Sequence, residues 1–139
     1  MIFEVALRML GVQYPYFTYF READPILGYA LRPNAEGWQT YEGKAYVKMN
    51  SDGMRDHEHT KEKPEETVRI AIIGDSIAEA PQVPLEQTFW FLAEKKLKSC
   101  TALGSREAEI LNFGVSGYSN LQELLMLRER VWDFDPDVV

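Results

Sequence analysis

The sequence predicts an α/β fold built on a parallel β-sheet, because apolar runs alternate with helical patterns in its second half. Residues 68–73 are β-branched and almost continuously apolar, which is typical of a strand buried on both faces. Residues 108–113 form a second such run, and residues 137–139 begin a third. The order strand, helix, strand, helix, strand favours crossover connections and therefore parallel pairing.

Each predicted helix has a pattern of its own. Residues 85–98 are predicted to be helical, with Glu94 on the solvated face. The apolar face of this helix consists of Leu85, Phe89, Leu92, Ala93 and Leu97. The second helix is predicted to begin after Ser119, since a serine followed three residues later by Gln122 is typical of a capping box. It carries apolar residues as far as Trp132, and a proline soon ends it.

Residues 1–66 are predicted to be an aromatic-rich N-terminal extension that packs against the α/β part. Prolines and glycines interrupt any long helix, and the many aromatic residues disfavour a disordered linker. Residues 38–41 and 45–49 are predicted to form two strands joined by a turn. Residues 1–10 are amphipathic, which predicts a docked helix rather than a signal peptide or a membrane-surface helix.

Length and composition restrict the classes of protein that fit. A chain of 139 residues suits one domain. The net charge of −7, from 15 basic and 22 acidic side chains, disfavours nucleic acid as a partner. No apolar segment reaches the about 20 residues that cross a bilayer. Cys100 is the only cysteine, which excludes an internal disulfide and a metal cluster built from cysteines.

Ser76 is the first candidate site residue. It follows Gly74 and Asp75 at the carboxyl end of the first predicted strand, which is where α/β sheets bind ligands. Backbone N–H groups at a helical turn that follows such a strand can stabilise an oxyanion. From the residues alone, the serine is equally well explained as the N-cap of the next helix.

The second candidate segment, residues 112–119, follows the second predicted strand. Carboxyl ends of neighbouring parallel strands share one edge of a sheet, so this segment is expected to meet the Ser76 turn. Gly114 and Gly117 would allow the backbone to approach a ligand closely. A plain glycine-rich turn is the alternative.

Together the two segments resemble the SGNH hydrolases, also called the GDSL esterase/lipase family. Residues 74–76, Gly-Asp-Ser, look like the family's first block, whose serine is the nucleophile and donates a backbone N–H to the oxyanion. Asn112, with Gly117 five residues later, looks like the second block, whose glycine N–H is the second donor. Further segments are similar to a bacterial subfamily, namely residues 24–29, 32–34, 50–55, 69–76 and 134–139.

The resemblance implies a flavodoxin-like three-layer α/β/α sandwich with a parallel sheet, incomplete at the C-terminus, in which residues 67–139 form the first half. It implies hydrolysis of small-molecule, carbohydrate or lipid esters, with Ser76 as nucleophile, Gly117 as oxyanion donor and no cofactor. Members of this subfamily are often anchored in a membrane or exported, so the resemblance does not predict a cellular compartment for this chain. The family's Asn-Asp segment and its Asp-x-x-His base are expected beyond residue 139, so the chain alone is expected to be inactive.

Two other functions stay open at this point. One is a non-catalytic interaction module made from the front half of the fold, which would bind a partner or self-associate through apolar faces. The other is a phosphate-binding domain that would use the turn at residues 74–76. Asp75 is expected to orient the serine turn, and Cys100 is expected to have no reactive role.

Asp56, His57 and His59 also invite a chemical interpretation. Asp56 and His59 have the spacing of Asp-x-x-His, but they precede the candidate nucleophile instead of following it. The surrounding residues are polar, which predicts a solvated turn with two exposed histidines. A metal site at this turn lacks an evident third ligand in the sequence.

Overall fold

The computed structural model describes residues 19–139, so the helix predicted at residues 1–10 lies outside the described residues. The first part contains two antiparallel strand pairs. These are β1 (Arg21–Asp24) with β2 (Gly28–Leu31), and β3 (Glu36–Gln39) with β4 (Ala45–Lys48). The predicted hairpin is confirmed as β3 and β4, although β3 begins two residues earlier than predicted.

A small parallel sheet forms the centre of the second part. In it, β5 (Thr67–Ile72) pairs in parallel with β6 (Glu107–Asn112). On the other side of β5, Val138 forms a parallel bridge, and its carbonyl accepts the N–H of Ala71 at 2.8 Å. The predicted α/β class with a parallel sheet is therefore confirmed, together with antiparallel pairs in the first part. The predicted third strand is present as this single bridge.

Three α-helices follow the strands of the sheet. They are α1 (Ser76–Glu79), α2 (Phe89–Leu97) and α3 (Asn120–Glu129). Short 3-10 helices occupy Leu85–Gln87, Thr101–Leu103 and Val131–Phe134. The capping box predicted at the start of α3 is confirmed, since the Ser119 N–H donates to Gln122 Oε1 at 3.2 Å. The α-helix ends earlier than predicted, and a 3-10 turn carries Trp132.

The prediction for α2 is wrong in its start and in its buried face. The chain is extended at Thr88, whose hydroxyl accepts the N–H of Phe91 and caps the helix. Trp90 and Glu94 are buried, whereas Phe89 and Leu92 are exposed. The helix is therefore rotated relative to the apolar stripe in the sequence, and a carboxylate takes a place that an apolar residue was expected to fill.

The outer edge of β6 explains why Glu94 is buried. The N–H groups of Ile110 and Asn112 point away from β5 and would lack backbone partners. Glu94 Oε2 accepts the Ile110 N–H at 2.8 Å, and Asp56 Oδ2 accepts the Asn112 N–H at 2.9 Å. Two carboxylates thus close this edge, which avoids the cost of unpaired buried N–H groups.

One apolar core joins the two parts of the chain. Its buried members include Leu31, Val47 and Met49 from the first part, and Leu111, Phe113, Val131 and Phe134 from the second. Packing across the two parts therefore holds the first part against the parallel sheet. Within residues 19–139, no helix is both long and apolar enough to span a bilayer.

Replacing Glu94 by alanine tests the carboxylate closure of β6. Glu94→Ala leaves the buried Ile110 N–H without its acceptor, which is expected to lower the free energy of unfolding by about 1–3 kcal/mol. Glu94→Gln keeps an acceptor at this position and loses the ion pair with Lys98, whose side chain is half exposed, so it should cost less than about 1 kcal/mol. Urea denaturation measures both changes in the free energy of unfolding. Equal losses in the two variants would contradict the role of Glu94 as acceptor for the Ile110 N–H.

Candidate active site

Ser76 is the first residue of the one-turn helix α1, directly beyond the end of β5. The N-cap of this helix is Asp75, whose carboxylate accepts the Ile77 N–H at 2.9 Å. The interpretation of Ser76 as a mere N-cap is therefore wrong, because its neighbour fills that role. Asp75 holds the turn as expected, and the Ser76 hydroxyl is not required for capping.

The loop after β6 lies directly against the Ser76 turn. The Val115 N–H donates to the Gly74 carbonyl at 3.0 Å, which joins the two loops through their backbones. At Gly114 a Cβ atom would lie only 2.5 Å from the Ala78 Cβ, so α1 packs on the glycine backbone with no space for a side chain. The structure thus brings together the two segments that carry Ser76 and Gly117.

Asn112 braces this junction from the end of β6. Its side chain is buried and has partners on both ends. The amide nitrogen donates to the Ala78 carbonyl at 3.1 Å, while Oδ1 accepts the Gly114 N–H at 3.0 Å. Asn112 therefore connects α1, β6 and the following loop.

Glu79 provides a second connection between α1 and this loop, and the sequence analysis did not identify it. It lies three residues after Ser76 and is fully buried. Its Oε2 accepts the N–H of Ser116, the residue before Gly117, at 2.5 Å. Burial raises the pKa of Glu79 to about 7, although its hydrogen bonds with Ser116 act in the opposite direction.

Arg21 and Tyr29 hold the next peptide group, which joins Ser116 to Gly117. Both donate to the Ser116 carbonyl oxygen, Tyr29 through its hydroxyl at 3.2 Å. The Ser116 carbonyl and the Gly117 N–H belong to one trans peptide, so they point in opposite directions. Fixing the carbonyl therefore fixes the direction of the Gly117 N–H. Gly117 itself has φ +84°, a backbone conformation that favours glycine.

Arg55 supports the other end of α1. Its buried guanidinium donates to the carbonyls of Glu79 and Ala80 at 2.7 and 2.5 Å, and to that of Val83. Burial lowers the pKa of Arg55 to about 10, which still leaves the guanidinium charged at neutral pH. A cation at the carbonyl end of a helix is favourable because the free carbonyls carry partial negative charge.

The turn at Asp56, His57 and His59 is not the solvated turn that the sequence predicted. The exposed fractions of the three side chains are 0% for Asp56, 41% for His57 and 1% for His59. Asp56 is buried because it accepts the Asn112 N–H at the edge of β6. A neighbouring backbone donor, which the local sequence does not reveal, thus turns a polar segment inward.

The ionisation of Asp56 and His57 follows from their contact. Burial would raise the pKa of Asp56, but its contacts with the imidazoles of His57 and His59 outweigh burial and lower that pKa. The hydrogen bond to Asp56 raises the pKa of His57 above its ordinary value. Both histidines are therefore engaged with Asp56, in front of the outer edge of β6.

Comparison with known proteins does not identify a family for this chain. No protein-family model matches the sequence, and a search of curated proteins finds no match. The class of protein is therefore defined by the geometry alone. It is a mixed α/β protein in which a serine turn and a glycine loop meet beyond the ends of two parallel strands.

The pKa of Glu79 predicts how stability varies with pH. An ordinary glutamate has a pKa near 4.5, and the folded-state value is about 7. Between these values the unfolded chain ionises while the folded one keeps its proton, so stability falls as pH rises. The loss is complete above about pH 7 and amounts to about 3 kcal/mol.

Glu79→Gln removes this titration and keeps an acceptor for the Ser116 N–H. The free energy of unfolding of the variant minus that of the wild type should therefore increase from about pH 4.5 to about pH 7 and then level off. Denaturant titrations across this range measure the difference. A constant difference would show that folding does not raise the pKa of Glu79.

Proposed function

We propose that this chain carries the nucleophile and the oxyanion donors of a serine-dependent ester hydrolase of the SGNH (GDSL) type. The observation that carries the proposal is the rigid junction between the Ser76 turn and the Gly117 loop. Three separate sets of hydrogen bonds support this junction. The Val115 N–H donates to the Gly74 carbonyl, the Ser116 N–H donates to Glu79, and the Asn112 side chain connects α1 to the loop after β6. A serine and a directed N–H group beyond adjacent strands suit acyl transfer.

The order of the strands supports the corresponding fold. A flavodoxin-like sheet begins with the second strand on one side of the first and the third strand on the other. In this chain β6 lies on one side of β5 and Val138 on the other. We therefore propose that residues 67–139 are the first half of a three-layer α/β/α sandwich.

In the proposed reaction, Ser76 Oγ attacks the carbonyl carbon of an ester of a small molecule, a carbohydrate or a lipid. The backbone N–H groups of Ser76 and Gly117 hold the oxyanion of the tetrahedral intermediate. A base takes the proton from Ser76 and delivers it to the leaving alcohol, which leaves an acyl-serine. Water, deprotonated by the same base, then hydrolyses this ester.

The base is proposed to come from residues outside 1–139. Serine needs an adjacent base at neutral pH, and the two histidines of this chain are engaged with Asp56 at the edge of β6. The phosphate-binding alternative has little support, since α1 is a single turn of four residues and its dipole is correspondingly small.

A specific observation also favours the interaction module as a second candidate. Leu121 and Leu124 on α3 and Trp132 after it are exposed large apolar side chains. Where such side chains form one patch, the surface typically contacts another protein or another part of the same protein. Under this candidate the chain would self-associate through α3 without catalysing a reaction.

Ester hydrolysis separates the two candidates. We expect the 139-residue chain to be inactive on short-chain nitrophenyl esters and the product of the complete reading frame to be active. Ser76→Ala in the active form should lower kcat at least about 10³-fold, since the nucleophile is lost. If the 139-residue chain hydrolyses the esters and loses this activity in Ser76→Ala, the proposal that the base lies outside residues 1–139 is contradicted. A folded, unreactive complete product that dimerises in light scattering would favour the interaction module.

Tyr29→Phe tests the orientation of the Gly117 N–H. The variant removes one of two donors to the Ser116 carbonyl and keeps the ring. A hydrogen bond is worth about 1 kcal/mol, so kcat in the active form should fall about fivefold with KM unchanged. Tyr41→Phe is the matched control, because Tyr41 is exposed on the loop between β3 and β4. An equal effect of the two variants on kcat would contradict the positioning role.

A further inference from the structure

We propose that Asp56, His57 and His59 bind one divalent transition-metal ion, such as Zn²⁺. The three side chains converge although they are close neighbours in sequence. One possible ligand atom from each lies within 4.8 Å of the others. Asp56 Oδ1 is 2.8 Å from His57 Nδ1, and Asp56 Oδ2 is 3.2 Å from His59 Nε2. The imidazole centroids are 4.1 Å apart.

These spacings suit the ligand shell of a tetrahedral ion. Zinc lies about 2.0–2.1 Å from histidine nitrogen and carboxylate oxygen, which places neighbouring ligand atoms about 3.3 Å apart. The two observed Asp56–histidine distances differ from this value by a few tenths of an ångström. The two contacts of Asp56 with the histidines are therefore already close to the spacing of ligands that share one ion.

His59 is the residue that points most directly to a ligand. Its side chain is 99% buried, and neither ring nitrogen forms a hydrogen bond with any residue in the described range 19–139. Nε2 approaches Asp56 Oδ2 to 3.2 Å without hydrogen-bond geometry. A buried polar group without a partner costs about 1–3 kcal/mol, and coordination through Nε2 would remove that cost.

Asp56 is held in the orientation that a metal ligand needs. Each of its oxygens accepts one backbone N–H, that of His57 on Oδ1 and that of Asn112 on Oδ2. A carboxylate oxygen has two lone pairs, so each retains one for a further partner. Backbone donors to a ligating carboxylate fix its direction and strengthen binding.

The donor set and its exposure define the class of ion. Two imidazoles and one carboxylate suit Zn²⁺, Co²⁺ or Ni²⁺ rather than Mg²⁺ or Ca²⁺, which prefer oxygen ligands. His57 is partly exposed and borders a cavity of about 650 Å³, which provides an entry path and room for a water as fourth ligand. The ion would clamp this turn to the end of β6. The inference is independent of the proposed hydrolase function.

Metal titration of the untagged, metal-free chain tests the site. We expect one Co²⁺ per chain, with visible absorption bands of a nitrogen- and oxygen-ligated ion, and displacement by Zn²⁺. The chain contains only two histidines, so shifted imidazole resonances in NMR spectra would identify His57 and His59 directly. Saturating Zn²⁺ should also raise the Tm, because the ion binds the folded state preferentially.

Variants assign the ligands. His57→Gln and His59→Gln should each weaken Co²⁺ binding at least about 10-fold. His57→Gln changes a partly exposed side chain and is expected to fold, which keeps the test valid if His59→Gln does not. Glu58→Gln and Cys100→Ser are controls with unchanged affinity, since both residues are exposed. Absent or non-saturating binding, wild-type affinity in His57→Gln, or loss of binding in Cys100→Ser would overturn the proposal.

Discussion

Buried backbone groups without backbone partners are the constraint on which the rest of this structure depends. The short helix α1 ends in free carbonyls, and β6 has free N–H groups along its outer edge. Two consecutive residues of the first part of the chain contribute to both sets, while Glu94 of α2 accepts the Ile110 N–H of β6. Arg55 donates to the carbonyls at the end of α1, and Asp56 accepts the N–H of Asn112 at the end of β6. Side chains of the first part therefore provide hydrogen-bond partners at the outer edge of β6 and at the end of α1.

At the candidate site, too, side chains of the first part hold backbone groups of the second part. Ser76 and Gly117 belong to the α/β part, but the peptide before Gly117 is held from outside by Arg21 and Tyr29. Glu79, within the α/β part, holds the preceding peptide through the Ser116 N–H. An oxyanion donor acts well only when its direction is set before the charge develops. The first part of the chain is thus a structural component of the site and not an appendage to it.

Two buried carboxylates in this small protein have opposite ionisation behaviour, and the cause is what surrounds them. Desolvation dominates at Glu79 and raises its pKa to about 7. At Asp56 the contacts with the imidazoles of His57 and His59 outweigh desolvation and lower its pKa. A carboxylate that is readily protonated suits a packed junction, whereas one that stays ionised suits a turn at which two imidazoles converge.

The sequence by itself determined the local elements of this protein. The apolar run at β5, the hairpin of β3 and β4 and the capping box of α3 depend on residue type and spacing within a few positions. Only the tertiary structure decided which polar side chains are buried, as Glu94, Asp56 and Glu79 demonstrate. Each lies opposite a backbone N–H that belongs to a distant segment. Since local spacing carries no information about that partner, α2 was predicted with the wrong face inward and Asp56 was predicted to be solvated.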